Sequence, residues 1–305
     1  MNESELLNRV AAGQGGLVTA AQALSAGYTR NRIRHLVRSG RWTRVARGRF
    51  LPMPELDLLR RRRARIRAAV DSLGRGAVAV LDTAAELHGV AGLRATATIH
   101  VSVPPDSPRP QRRSDPGLVV HQLTLGPTDV DLVAGIPVTN AVRTFADVIL
   151  RAGRYPAVCV LDSALNRQLI TEAELAAIPP LISGRRGAVA ARRCLVEADG
   201  RAESPLETRT RLRCVDGGVP PDVLQLEVRD DDGYLLGIGD LGWRRSRVIA
   251  EADGRAPHGT PQAVFEDRIR QNRLINAGWK VLRFTWSDTL RPDYIPETVR
   301  RALSR

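Results

Sequence analysis

Apolar and polar positions alternate with helical spacing from the start of the chain. Residues 4–10 carry a short helical pattern that runs into a glycine-rich turn at 13–16. Thr19 caps a helix over 20–26, and Thr29 caps a second helix through RNRIRHLVRSG. In that second helix Ile33, Leu36 and Val37 share one face, leaving Arg30, Arg32, Arg34 and Arg38 outward. Gly40 ends it. Residues 42–51 then alternate and turn at Arg47-Gly48, as a two-stranded wing would. A short helix, a turn and an arginine-bearing second helix followed by such a hairpin predict a winged helix-turn-helix over 1–53.

The pattern next predicts a basic helix over 56–73, with four consecutive arginines at 60–63, and a helix over 77–90. Strands follow at 98–103 and 118–122, separated by a proline- and arginine-rich loop, with a strand pair over 130–138 around Gly135 and a helix starting at Thr139. Helices are expected over 156–167, 171–177 and 187–197, the middle one with Thr171 and Glu174 at capping-box spacing. Pro179-Pro180 is expected to break the helical run, and residues 198–200 form a junction. Beyond it, Ser204-Pro opens a helix. Strands are read at 220–228, 234–241 and 247–253, then a helix over 261–277 and a strand over 280–286. The expected fold class is α/β multidomain: the winged helix-turn-helix at 1–53, an α/β connecting domain at 54–200 and an α/β sheet domain at 201–305.

The C-terminal pattern also carries candidate chemistry. Alternation over 247–253 places Glu251 and Asp253 on one face and Val248, Ala250 and Ala252 on the other. If the preceding strand returns as a hairpin, Asp240 comes near Glu251. Carboxylates grouped at a sheet end suit a hard cation such as magnesium. The plain alternative is a turn, with Asp253-Gly254 supplying the backbone angle.

Charge alters the picture at the other end. The 305 residues carry a formal charge of +13, almost all of it arginine. Residues 1–70 hold fifteen arginines against four acids, whereas 201–305 hold eighteen basic residues against sixteen acids. Arginine in place of lysine is also what a GC-rich genome yields, but that leaves its concentration at one end unexplained. A local positive field points to a polyanion, and DNA is the expected partner. Arg30, Arg32 and Arg34 are the groove candidates, and Arg44, Arg47 and Arg49 the wing-to-phosphate candidates. Cys159, Cys194 and Cys214 lack metal or disulfide spacing, and His88, His100 and His121 define no metal site. There is no secretion-signal pattern and no stretch near the length of a membrane span, so a soluble cytoplasmic protein without membrane partners is expected.

Two resemblances bear on function. The succession Gly40-Arg-Trp42 and Arg47-Gly-Arg-Phe50 after the second helix resembles the N-terminal winged helix of the AbiEi family of type IV antitoxins. That resemblance implies DNA binding, autoregulation and a cognate toxin protein. The region at 54–200 is similar to the middle part of such proteins. Separately, Ser204-Pro-Leu-Glu207, the strand at 220–228, Asp240, the block from Glu251 to His258 and Gly278-Trp-Lys-Val-Leu-Arg-Phe284 resemble the DUF559 branch of the PD-(D/E)XK nucleases. This second resemblance implies a restriction-endonuclease-like sheet in which Glu207, Asp240 and Glu251 hold Mg2+ or Mn2+ and His258 stands at the scissile phosphate.

One position departs from the nuclease superfamily's general pattern, since Asp253 stands where many members carry lysine. Asp253 would offer a metal oxygen or a hydrogen-bond acceptor, and His258 would move the proton. Lys280, the only lysine, is a poorer stand-in. The chain therefore admits two readings: a metal-dependent endodeoxyribonuclease guided by its winged helix, or an antitoxin-like transcriptional regulator whose nuclease-like domain is inert.

Overall fold

The computed structural model describes residues 3–46, 48–52, 57–107, 117–254 and 261–304. The chain divides into two compact units, 1–89 with 94–148, and 90–93 with 149–305.

The first unit opens with α1 (Glu3–Gly13), β1 (Val18–Thr19), α2 (Ala20–Ser25), α3 (Arg30–Arg38), β2 (Thr43–Ala46) and β3 (Arg49–Leu51). Local chemistry sets the helix starts. The Thr19 hydroxyl accepts from Gln22 N at 3.1 Å while Gln22 Oε1 accepts from Thr19 N at 2.8 Å, closing a capping box. The Thr29 hydroxyl accepts from Arg32 N at 3.1 Å. Strand order is β1-β3-β2, all antiparallel. Leu7, Ala11, Ala23 and Ile33 close over an aromatic cluster in which Trp42 lies 5.2 Å from Tyr28 and 5.8 Å from Phe50, ring centre to ring centre.

A long helix, α4 (Leu58–Ser72), is shared by two cores of this unit. Ala64 and Ala68 pack with Leu17 and Leu51 beside the wing, and Ile66, Ala69 and Val70 pack into a second core. That second core belongs to a five-stranded sheet of order β6-β5-β4-β8-β7, with β4 (Val78–Ala79), β5 (Ile99–Ser102), β6 (Leu118–His121), β7 (Val130–Val133) and β8 (Ile136–Thr139). The expected helix over 77–90 is two elements. Residues 78–79 form the central strand and α5 (Leu81–His88) follows, the chain turning at Leu81 with a φ of 54°. A short apolar run buried on both sides reads alike for strand and helix, which is why the pattern misassigned it. α6 (Ala141–Ile149) ends this part of the chain.

The second unit begins with α7 (Arg154–Asn166), α8 (Glu172–Ala176), α9 (Ile178–Leu181) and α10 (Ala188–Glu197). Pro179 and Pro180 do not interrupt structure here. They lie in the short helix α9, with proline in its first turn, where a missing N–H is tolerated. Then come α11 (Pro205–Asp216), β9 (Val223–Arg229), β10 (Leu235–Trp243), β11 (Val248–Ala252), α12 (Pro261–Asn276), β12 (Lys280–Phe284) and α13 (Tyr294–Leu303). The sheet order is β12-β11-β10-β9, antiparallel except for the parallel pair β11–β12, which α12 connects.

The two faces of this sheet carry different helices. Leu241, Trp243, Val248 and Ala250 pack with Cys214 of α11 and with Ile295 and Val299 of α13. Ile249, Leu226 and Val228 pack with Leu274 of α12. Asp162 of α7, almost wholly buried, accepts from the Thr208 hydroxyl and from Arg211, each at 2.8 Å, and so fastens the helices to α11.

Candidate functional site

On the winged helix, α3 turns Ile33 inward and leaves its arginines in solvent. Arg30, Arg34 and Arg38 recur every fourth residue and form one exposed stripe. Arg32 is placed differently. Its guanidinium lies 4.3 Å from the centre of the Tyr28 ring and pairs with Glu3 of α1. On the wing Arg44 is exposed and Arg49 half-buried, and Arg47 lies outside the described residues. Arg38 belongs to the stripe through the i, i+4 spacing that already marks Arg30 and Arg34.

The acids of the C-terminal sheet are placed one by one. Glu207, in the first turn of α11, accepts from Glu203 N at 2.9 Å and from the Gln225 amide at 3.0 Å. Burial pushes its carboxyl above the ordinary value, and the negative charges of Asp240 and Glu203 add to that. Pairing of β10 with β11 runs from Trp243↔Val248 to Leu241↔Ala250. Asp240 follows this last pair and accepts from Ala252 N at 2.7 Å. Burial raises the Asp240 carboxyl as well, opposed by the Ala252 N–H and the Arg270 guanidinium.

Glu251 is buried, and both of its oxygens are engaged by guanidinium groups: Oε1 by Arg270 at 3.0 Å and Oε2 by Arg283 at 3.1 Å. Arg270 and Arg283 also reach Asp267 at 2.9 and 2.7 Å, which joins α12 to β12 through two acids and two arginines. Asp253, with 53% of its side chain exposed, stands 3.6 Å from Arg283. His258 lies outside the described residues. Lys280 is away from the acids at the other end of β12, opposite Val248, and its ammonium donates to Ala302 O.

Glu207 lies in the first turn of α11 and Glu251 meets Arg270 of α12. Asp240, where β10–β11 pairing stops, acts electrostatically on both. Among the described residues no group of three or more His, Cys, Asp or Glu side chains could hold a metal ion. Every acid of the trio accepts from protein donors, and two arginines already supply the positive charge that a divalent ion would bring to Glu251. With both of its oxygens held by arginines, Glu251 presents no open oxygen to a hard cation in this arrangement. Sequence alone offered no cue to Arg283, which meets Glu251 only through the parallel pairing of β11 with β12.

Comparison with known proteins agrees with the architecture of the N-terminal end. A family model described as "Transcriptional regulator, AbiEi antitoxin" matches residues 5–50, and one for the AbiEi antitoxin C-terminal domain matches 77–197, together more than half of the chain. The uncharacterized proteins Rv2248 and MT2308 of two Mycobacterium tuberculosis strains are each 33% identical over 278 residues, covering 91% of this chain and 98% of theirs. The crystal structure of the RV2827C protein from Mycobacterium tuberculosis matches at 18% identity and a TM-score of 0.42, over 74% of this chain and 89% of that one. The chain belongs to the AbiEi antitoxin family of transcriptional regulators. Residues 201–305 lie outside both family models, and no helix among the described residues is long and apolar enough to cross a membrane.

Proposed function

We propose that this antitoxin-family regulator binds duplex DNA through α3 and the wing, and that its C-terminal sheet is a structural domain without nuclease activity. The stripe Arg30, Arg34 and Arg38 carries the reading. These arginines are exposed at four-residue spacing on a capped helix whose opposite face is locked into the aromatic core. Such a helix fits a major groove, and Arg44 and Arg49 of the wing are available for flanking phosphates. Family membership supports the role, and a toxin encoded beside it is the expected counterpart.

The engagement of Glu207, Asp240 and Glu251 by protein donors supports the inert reading of the C-terminal domain. Band shifts on the DNA upstream of its own gene test the first half. Retained affinity in an Arg30→Ala/Arg34→Ala variant would sink it. Plasmid nicking with Mg2+ or Mn2+ tests the second half. Nicking by the wild type that disappears in Asp240→Ala and Glu251→Ala would restore the nuclease reading.

A further inference from the structure

The side of α11 away from the sheet acids carries two arginines held in one geometry. Arg209 and Arg213 lie one turn apart on the helix. Arg209 Nε donates to the Thr289 hydroxyl at 3.1 Å, and Arg213 Nε donates to the Thr289 carbonyl at 2.8 Å. Thr289 is fully buried, and its own hydroxyl donates to Trp286 O at 2.8 Å. One buried residue therefore holds both guanidinium groups by their inner nitrogens.

The Tyr155 ring fixes them from the side, with its centre 5.1 Å from the guanidinium carbon of Arg209 and 4.8 Å from that of Arg213. The neighbouring acids are already engaged. Asp216 accepts from the Tyr155 hydroxyl and from Arg154, both at 2.6 Å, and Arg154 also donates to Glu197 at 2.7 Å. Burial and the bond to Asp216 push the Tyr155 hydroxyl up to about 12, so it remains a donor. Among the described residues, no acceptor reaches the terminal nitrogens of Arg209 or Arg213. An arginine pair pinned at Nε with open forks is preorganised for an oxyanion, because the ordering cost is met before the ligand arrives.

An aromatic surface adjoins the pair. Arg209 lies 4.9 Å from the centre of the Trp286 ring, and half of Trp286 remains exposed. A few residues on, Arg291 lies 4.0 Å over the ring of Tyr294, itself 42% exposed. Interleaved arginines and open rings are what single-stranded nucleic acid uses: phosphates meet the cations and unpaired bases stack on the rings. A duplex keeps its bases from such a ring. The residues at 201–305 are nearly balanced in charge, so diffuse attraction is weak and recognition must come from these few groups.

We propose that Arg209, Arg213 and Trp286 form a binding site for single-stranded nucleic acid, the arginine forks holding a backbone phosphate and the open face of Trp286 stacking a base. The site is separate from the duplex-binding stripe on α3 and does not depend on it. Fluorescence anisotropy of the full-length chain with labelled 12-nucleotide RNA, 12-nucleotide DNA and a 20-base-pair duplex tests this. Arg209→Gln/Arg213→Gln and Trp286→Ala should each weaken binding of at least one single-stranded probe about tenfold and leave the duplex unchanged. Arg30→Ala/Arg34→Ala should do the reverse. Trp286 is half exposed, so its replacement leaves the fold intact even if the arginine variant is unstable. Single-strand binding that persists undiminished in Trp286→Ala, or that vanishes with the α3 variant instead, overturns the proposal.

Discussion

Arg283 is both the strand partner of Glu251 and its ion-pair partner, at 3.1 Å across the parallel pairing of β11 with β12. Parallel strands so paired are tied together by side chains as well as by backbone. Because Glu251 is buried and Arg270 holds its second oxygen, the carboxylate organises two guanidinium groups that would otherwise crowd each other beside Asp267. Burial raises the Glu251 carboxyl even against these two arginines. The loss of stability expected for Glu251→Ala, about 1–3 kcal/mol, therefore comes from leaving Arg270 and Arg283 without their shared acceptor, and it stays below the range for a fully buried pair because both arginines keep part of their hydration. Urea unfolding checks this. A catalytic metal ligand behaves differently: removing one commonly leaves stability unchanged or improved, since like charges are relieved.

Glu207 allows a test by pH. Burial comes first among the causes that raise its carboxyl above the ordinary 4.5. A carboxyl with a raised folded-state value holds its proton more tightly in the fold than in the unfolded chain. Its contribution is thus fully present below about 4.5 and is lost as pH rises through the folded value. Glu207→Gln keeps an acceptor for Glu203 N and Gln225 but removes the charge. The variant should be more stable than the wild type at pH 7.5, with the difference vanishing near pH 4. Denaturant titrations at the two pH values read this directly, and a variant less stable at both would show that the carboxylate itself is required.

Trp42 joins both halves of the winged helix, since its ring meets Tyr28 on one side and Phe50 of β3 on the other. Trp42→Ala removes the largest side chain of this core and should cost about 3–5 kcal/mol. That is a large share of a typical domain stability of roughly 5–15 kcal/mol. A lower urea midpoint for the first unit, together with loss of duplex DNA binding, is the expected outcome.

Legibility in the sequence followed the range of the interactions involved. The caps at Thr19, Thr29 and Thr171 and the α12 and β12 positions depend on residues a few places apart, and they stand where the pattern put them. β4 was hidden because two buried residues ahead of Leu81 carry no periodicity. α13 went unread although its apolar positions Ile295 and Val299 have helical spacing. Asp240 and Glu251 were correctly read as strand residues and Glu207 as part of a helix, whereas β11 ends one residue before Asp253; what engages each acid depends on distant facts. Gln225 has a φ of 52°, which upsets the alternation of β9, and the arginines that engage Glu251 arrive from α12 and β12. A spacing rule cannot express partners 19 and 32 residues away.

Arg30, Arg32 and Arg34 look equivalent in sequence and are not equivalent in the structure. Arg30 and Arg34 are exposed on one stripe, whereas Arg32 is spent on Glu3 and the Tyr28 ring. Each phosphate contact removed should lower the slope of log affinity against log salt by about 0.9. Arg30→Ala/Arg34→Ala should thus lower the slope by about 1–2 and leave the melting temperature nearly unchanged. Arg32→Ala should act mainly on stability, by about 0.5–1.5 kcal/mol, because it loses a half-exposed ion pair and a cation–π contact. Salt titrations of duplex binding with parallel thermal melts separate the two effects. Equal slopes for the double variant and the wild type would mean that DNA is read by another surface.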